Sequence, residues 1–158
     1  MKGEIISNQN RYQKIVVPLD GSGWSKRAVP HAVDIARANN AELILLHVLR
    51  PPAYEYTDQL ALGGQDSQLT QLRDQMKQYL IGIRNELRSE QIQVRCQVVE
   101  GVGIAHLVCD FVNNEGVDLV VLSTHGRSGI TEFLFGSVAN KIMQCLKVPV
   151  LLIHPDKD

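Results

Sequence analysis

Long hydrophobic runs are missing from this 158-residue sequence, and no apolar stretch approaches the roughly 18 residues that indicate a transmembrane helix. The first ten residues lack the apolar core of a secretory signal peptide, so we expect a cytoplasmic protein with no membrane association. An excess of one charge is also missing, because 16 basic and 17 acidic side chains leave a net charge of −1. Nucleic-acid-binding proteins usually carry a clustered basic excess, so we expect no nucleic-acid partner.

Cysteine is scarce, and the three that occur are Cys96, Cys109 and Cys145. They form no C-x-x-C pair, which argues against a zinc site or a dithiol redox motif and predicts small buried side chains. The histidines are scattered over different segments, so we expect no metal ion held by protein side chains. The P-loop motif G-x-x-x-x-G-K-[ST] is absent, and no Ser/His/Asp or Cys/His arrangement indicates nucleophilic catalysis.

The hydrophobic pattern predicts one domain over residues 13–158, after a polar lead-in over residues 1–12. The predicted strands cover residues 14–19, 42–48, 94–99, 117–122 and 150–153, and the predicted helices cover residues 25–40, 69–87, 104–112 and 137–147. Pro30 either kinks the first of these helices or shortens its first turn. Residues 53–67 are interpreted as a loop without an assigned element.

Four of the five predicted strands are continuous apolar runs, which is typical of strands covered on both faces. Their alternation with helices predicts an α/β fold, with a five-stranded parallel sheet and helices on both faces. Ligands of such sheets bind beyond the carboxyl ends of the strands, at the point where the strand order reverses.

A glycine-rich loop between Ser123 and Ser137 follows the fourth predicted strand and leads into the last helix. Glycine lets a ligand approach the backbone, and a helix N-terminus offers unpaired N–H groups, so this segment predicts a phosphate-binding site. Arg127 either contacts the phosphates or stays solvated, and His125 either contacts them or braces the loop. Ser137 either donates to a phosphate oxygen or caps the helix.

Two other segments follow predicted strands. Asp20 either accepts hydrogen bonds from two ribose hydroxyls or is a simple turn residue before Gly21. The segment Gly101-Val-Gly-Ile-Ala-His106 begins like the dinucleotide motif G-x-G-x-x-G, but His106 stands where close helix–strand packing favours Gly or Ala. We therefore predict an ordinary strand-to-helix turn at this second segment.

Several segments together resemble the universal stress protein family over residues 13–154. They are Ile15-Val-Val-Pro-Leu-Asp-Gly-Ser22, Leu45-Leu-His-Val48, Leu122-Ser-Thr-His-Gly-Arg-Ser-Gly129, Gly136-Ser-Val-Ala139 and Pro149-Val-Leu151. The resemblance implies the strand order 3-2-1-4-5 and an ATP site built on G-x-x-G-(nine residues)-G-[ST]. Gly126, Gly136 and Ser137 match this motif, whereas Ser123 stands at its first glycine and adds a Cβ where the backbone approaches the nucleotide.

The resemblance also implies that Asp20 hydrogen-bonds the ribose hydroxyls and that Pro18 and Val48 line the adenine pocket. Mg²⁺ is expected to arrive with the phosphates rather than to be held by a protein cage. The candidate ATP-binding residues are Pro18, Leu19, Asp20, Val48, Leu122, Ser123, Thr124, His125, Gly126, Arg127, Gly129, Gly136, Ser137 and Val138.

These features suggest a stress-response protein that binds ATP and acts as a nucleotide-dependent switch without efficient turnover. ATP would order residues 127–135 and present or hide Phe133, Leu134 and Phe135 to protein partners that the sequence does not identify. Two alternatives stay open: a slow ATPase or self-phosphorylating enzyme, and an interaction protein that has lost nucleotide binding. With strand 5 at the sheet edge, its apolar stretch Val148–Ile153 predicts a homodimer.

Overall fold

The structure is a computed structural model that describes residues 11–51, 62–124 and 136–154. Its strands are β1 (Lys14–Pro18), β2 (Glu42–Leu49), β3 (Val94–Glu100), β4 (Leu119–Ser123) and β5 (Val150–Ile153). Its helices are α1 (Gly23–Lys26), α2 (Ala28–Asn39), α3 (Leu62–Glu86), α4 (Ile104–Glu115) and α5 (Ser137–Cys145), with a 3₁₀ turn at Arg88–Glu90. Within these ranges no helix has the length and apolar character that crossing a membrane requires.

The strands form one parallel sheet in the order β3-β2-β1-β4-β5, which confirms the predicted α/β fold. Helices α2 and α3 bury apolar side chains against one face of the sheet, and α4 and α5 cover the other face. The neighbouring residues Leu45 and Leu46 of β2 point to opposite faces and belong to these two separate cores, and both side chains are fully buried. Burial on both faces explains why the strands are continuous apolar runs.

Pro30 does not kink a single helix, because the chain forms two helices where one was predicted. Arg27 lies between α1 and α2, and Pro30 occupies the first turn of α2. A first-turn residue has no helical acceptor for its N–H, so proline costs no hydrogen bond there. Asn40 ends α2 in a left-handed conformation, with φ of 51°.

The predicted start of the helix over residues 69–87, which corresponds to α3, is wrong. This helix begins at Leu62 rather than at residue 69, so residues 62–67 are helical and not part of a loop. Residues 53–61 of the predicted loop lie outside the described residues. Residues 1–10 of the predicted lead-in also lie outside them, and the backbone N–H groups of Arg11 and Tyr12 donate to Asn39 Oδ1.

The prediction of small buried cysteine side chains is confirmed for Cys109 but is wrong for Cys145, which is exposed, and Cys96 is only half-buried. Cys109 of α4 and Cys145 of α5 form a disulfide bond. Cys96 of β3 is free. Packing of α4 against α5 brings together two cysteines that are 36 positions apart in the chain.

Arg95 joins the edge strand β3 to its neighbours. Its Nε donates to Glu42 Oε1 at 3.1 Å, and its Nη2 donates to Glu115 Oε2 at 2.7 Å. The hydrogen bond from Arg95 lowers the pKa of Glu115. A folded-state pKa below the unfolded value of about 4.3 adds stability at neutral pH, and this contribution is lost as the pH falls through the folded value.

Arg95→Gln should therefore lower the free energy of unfolding at pH 7, by a progressively smaller amount as the pH falls through the glutamate range. The effect is small because both side chains of the pair are about one-third exposed to solvent, at 33% and 35%. Urea denaturation at a series of pH values measures it, and Glu115→Gln should show the same pH trend. A deficit that stays constant with pH would contradict this account.

Candidate functional site

A cavity of about 560 Å³ lies beyond the carboxyl ends of β1, β2 and β4. The start of α5 forms part of its wall. This volume is within the range of about 300–1,000 Å³ that is typical of small-molecule sites. Every candidate residue that the structure describes lies on its wall: Pro18, Leu19, Asp20, Val48, Leu122, Ser123, Thr124, Gly136, Ser137 and Val138. His125, Gly126, Arg127 and Gly129 lie outside the described residues.

Asp20 lies in the tight connection between β1 and α1. Its Oδ1 accepts from the backbone N–H of Ser22 at 2.9 Å and from the Ser22 hydroxyl at 2.6 Å. Its own backbone N–H donates to Ser25 Oγ at 3.2 Å. Asp20 thus stabilises the turn and lines the cavity at the same time. A role in the turn therefore does not exclude a role in accepting hydrogen bonds from a ligand.

Tyr79 of α3 adds a neutral hydroxyl to the surroundings of this connection. Burial raises the pKa of Tyr79 above its ordinary value of about 10, and the negative charge of Asp20 raises it further. Tyr79 therefore stays protonated at neutral pH.

His47 fixes the end of β1 against β2 from inside the cavity. Its ring is buried, and its Nδ1 lies 2.7 Å from the carbonyl oxygen of Leu19. Because a carbonyl only accepts, Nδ1 carries the proton and donates it to Leu19. This bond holds the residue directly before Asp20 in place.

Another part of the cavity wall is formed by the start of α5. Gly136 is the N-cap residue and its N–H donates to the Thr124 carbonyl oxygen at 3.1 Å. Within the described residues no side chain caps this helix, and Ser137 is its first helical residue rather than its cap. The capping interpretation of Ser137 is therefore wrong. The first N–H groups of α5, with their partial positive charge, lie at the cavity.

Much of the remaining wall is apolar. Val48 and Leu122 were expected there, but α3, α4 and the body of α5 also contribute side chains that the sequence did not assign to the site. These are Leu72 and Met76 of α3, Ile104 and Val108 of α4, and Ala139 and Ile142 of α5. Arg50, directly after β2, adds a cation.

Some of these omissions had a signal. Arg50 follows the end of β2, and strand ends are where this fold places its ligands. Leu72 and Met76 follow the helical period of apolar residues in α3, which marks one apolar face of the helix. Periodicity identifies an apolar face but does not distinguish a core from a cavity wall.

The glycines of the segment that begins at Gly101 have a conformational reason. Gly103 is the N-cap of α4, with φ of 85°, which favours glycine. Gly101 has φ of 155°, and a Cβ there would lie 2.9 Å from Leu107 Cδ1. Neither glycine lines the cavity, and both fit the predicted strand-to-helix turn.

The polar groups of the cavity suit a ligand better than a bare metal ion. No group of three or more His, Cys, Asp or Glu side chains in the described ranges is placed to hold a metal. The cavity is instead lined by the Asp20 carboxylate, by the first residues of α5 with their helix N–H groups, and by many apolar side chains. This arrangement can accept hydroxyl donors, bind an anion and enclose a flat apolar ring.

Comparison with known proteins gives consistent relatives. The model of the universal stress protein family matches residues 11–154. The chain is 28% identical to universal stress protein MJ0531 of Methanocaldococcus jannaschii over 153 residues, which covers 97% of this chain and 88% of that protein.

Two solved structures are similar in fold and sequence. The structure of hypothetical protein MJ0577 of the same organism superposes with a TM-score of 0.80 at 25% identity, covering 94% of this chain and 99% of that one. A universal stress protein in complex with cAMP superposes with a TM-score of 0.64 at 26% identity, covering 92% and 99%. Because the family model spans nearly all of the sequence, this chain belongs to the universal stress protein family.

Proposed function

We propose that this chain binds an adenine nucleotide, ATP together with Mg²⁺, in the cavity at the carboxyl ends of β1, β2 and β4. The observation that carries the proposal is the pairing, in one cavity, of the Asp20 carboxylate with the N-terminus of α5. Asp20 accepts hydrogen bonds from the ribose hydroxyls, and the first N–H groups of α5 bind phosphate oxygens. Pro18 and Val48 line the adenine.

The relative solved with cAMP supports an adenine nucleotide as the ligand class. The glycine at position 136 also fits a ligand role. A Cβ added there would lie 3.5 Å from the Thr124 carbonyl oxygen, which is an ordinary van der Waals contact. Glycine at this position is therefore not required by packing within the described residues. Its absence of a side chain leaves room for a phosphate to approach the backbone.

We propose further that ATP acts as a switch without efficient turnover in a cytoplasmic stress-response protein. The segment assigned to this switch, residues 127–135, lies outside the described residues. Limited proteolysis with and without ATP tests it, and cleavage of this segment at equal rates in both samples would refute the ordering mechanism. Sustained phosphate release that Asp20→Ala abolishes would favour the alternative of a slow ATPase.

The first experiment identifies the ligand. The purified chain is denatured, released nucleotides are identified by mass spectrometry, and the stripped protein is titrated with ATP and Mg²⁺, then with AMP and cAMP. Stoichiometric ATP, or rebinding that competes with a fluorescent adenine nucleotide, supports the proposal. A protein that carries no nucleotide and binds none of the three refutes the proposal and favours an interaction protein. Ser123, which replaces the first glycine of the motif, would then help to explain the loss of nucleotide binding.

Asp20→Asn should lower the affinity for ATP about 10- to 100-fold, the loss expected when a charge-assisted hydrogen bond of about 1.5–3 kcal/mol is weakened. Asn keeps an oxygen that can accept from Ser22, so the turn and the thermal stability should change little. Isothermal titration measures the affinity. The matched control is Asp34→Asn, which removes an exposed carboxylate of α2 that does not line the cavity. Equal losses in both variants would argue against the ribose contact.

We also propose a homodimer formed through Val148–Ile153. The sheet order places β5 at an edge, and its four residues are only half-buried. An unpaired apolar edge strand favours association, and a second copy of β5 across a two-fold axis would cover it. Analytical ultracentrifugation at micromolar concentration tests this proposal, and a monomer would refute it.

A further inference from the structure

The disulfide between Cys109 and Cys145 connects the two helices that cover one face of the sheet. The Cα atoms are 6.2 Å apart, within the usual range of about 4.4–6.8 Å for bonded cysteines. Neither cysteine belongs to the candidate nucleotide-binding residues, and neither lines the cavity. The bond is therefore not itself part of the proposed nucleotide site.

The bond lies directly behind the cavity wall. Ile142 lines the cavity, and its carbonyl oxygen lies 3.7 Å from Cys109 Sγ and 3.4 Å from Cys145 Sγ. Val108, the neighbour of Cys109 in α4, lines the same cavity. Movement of α5 relative to α4 would thus change the shape of the cavity.

Helix α5 depends on contacts with the rest of the molecule. It has nine residues, and only Ala139 and Ile142 are buried. Isolated helices shorter than about 12–15 residues are marginal in water, so contacts with other elements must hold α5 in place. Cys145 is its last residue, and a covalent bond there anchors the end of α5 that lies away from the cavity.

The two sulfurs differ in accessibility, which decides how the bond reacts. Cys109 is buried, with 3% of its surface exposed, whereas Cys145 is exposed. An external thiolate can therefore reach the Cys145 sulfur. The cytoplasm proposed above for this chain is a reducing compartment. Structural disulfides are rare there, and the disulfides that do occur are usually transient or redox-sensing.

We propose that Cys109 and Cys145 form a reversible thiol–disulfide site. Its redox state controls how firmly α5, which forms part of the cavity wall, is held against α4. The reductant is a dithiol. One of its thiolates attacks Cys145 Sγ, a mixed disulfide forms, and Cys109 leaves as a thiolate that takes up a proton. The second thiol of the reductant then attacks the reductant's own sulfur in the mixed disulfide. This releases Cys145 and completes the transfer of two electrons and two protons.

Reoxidation uses a low-molecular-weight disulfide such as oxidised glutathione. The Cys145 thiolate attacks it and releases one glutathione, and the Cys109 thiolate then displaces the second glutathione from Cys145. In the reduced state the Ile142 carbonyl is within reach as a weak acceptor for either thiol. This carbonyl also accepts from the backbone N–H of Leu146 at 3.1 Å, so it keeps a hydrogen bond when reduction loosens α5.

The consequence for the ligand rests on the proposed function. A nucleotide that binds the N-terminus of α5 binds best when α5 is in place, so the oxidised protein should bind ATP more tightly than the reduced one. By linkage, bound nucleotide should make the disulfide harder to reduce by the same factor.

The test compares the full chain oxidised with glutathione disulfide and reduced with dithiothreitol. Hydrogen exchange should be about tenfold or more faster for amides of residues 137–145 in the reduced protein, and unchanged for α2. Cys145→Ser should exchange like the reduced protein under both conditions, and Cys96→Ser should respond like the parent chain. Equal exchange of α5 in the two states overturns the proposal, and so does a bond that dithiothreitol does not open or that glutathione disulfide does not re-form.

ATP titration of the same two samples separates this proposal from the proposed function. Weaker binding to the reduced protein supports both. Faster exchange of α5 on reduction, together with no nucleotide binding in either state, supports the redox site and refutes the nucleotide-binding function. Equal ATP affinity in the two states, despite faster exchange of α5, overturns the assignment of α5 as the controlled wall of the binding site.

Discussion

Gly136→Val is expected to lower the affinity for ATP about 100-fold, the largest functional effect that we predict for a single substitution. The valine methyl groups would enter the space where a phosphate approaches the start of α5. The loss of one charge-assisted hydrogen bond of about 3 kcal/mol, or of two of about 1.5 kcal/mol each, corresponds to a change of about 100-fold.

The fold should tolerate this change, so the two effects can be separated. Gly136 has φ of −49° and ψ of 145°, a conformation open to any residue, and the added Cβ meets only an ordinary contact. Valine is a poorer N-cap than glycine, which costs about 1 kcal/mol or less. Titration calorimetry measures the affinity, and thermal unfolding measures the stability.

Gly82→Ala is the matched control for Gly136→Val. Gly82 lies in the exposed part of α3, with no atom within 4 Å of an added Cβ. Alanine there should raise the free energy of unfolding by about 0.5–1 kcal/mol and leave the ATP affinity as it is. If Gly136→Val bound ATP as tightly as the parent chain, the N-terminus of α5 would not be the phosphate site.

Ile142→Ala should lower both the free energy of unfolding and the ATP affinity. Its side chain is 1% exposed, packs in the core between the sheet, α4 and α5, and also lines the cavity. Removing such a side chain costs about 2–5 kcal/mol, because buried surface is lost and a void remains. For a chain of this size each kcal/mol lowers the melting temperature by about 2–4 °C.

Leu45→Ala separates the two consequences of Ile142→Ala. Leu45 is fully buried in the core on the opposite face of the sheet, under α2 and α3, and it does not line the cavity. Its loss of stability should match that of Ile142→Ala, while the affinity of the folded protein for ATP stays unchanged. Denaturant titration and calorimetry give the two quantities. An equal loss of affinity in both variants would mean that global stability, not the cavity wall, determines binding.

The strands could be predicted from the sequence because burial on both faces leaves a simple pattern. Ile15, Val16 and Val17 are all fully buried, so β1 is an uninterrupted apolar run. The start of α3 could not be predicted in this way. Two glycines directly follow Leu62 and lower its helix propensity, yet the chain is helical there. Propensity is a weak local preference, so a low value does not exclude a helix.

The candidate site follows the same division. Asp20 and Gly136 could be located because both lie next to strand ends or a helix start, which the sequence marks with turn residues. Met76 could not, because the helical period of α3 does not distinguish a core position from a cavity wall. The disulfide also could not be predicted, since Cys109 and Cys145 meet only through the packing of α4 on α5.

The pairing of β1 with β4 has a consequence for how the molecule forms. The N–H groups of Gln13 and Lys14, at the start of β1, donate to the Asp118 carboxylate, which lies 104 positions after Lys14. Contacts between such distant segments form late, because a long loop must close first. The cavity needs residues from both β1 and α5, so it forms only after the chain has been synthesised through α5. By mass action, a ligand that bound this cavity would stabilise the folded state and so protect newly made chains from unfolding.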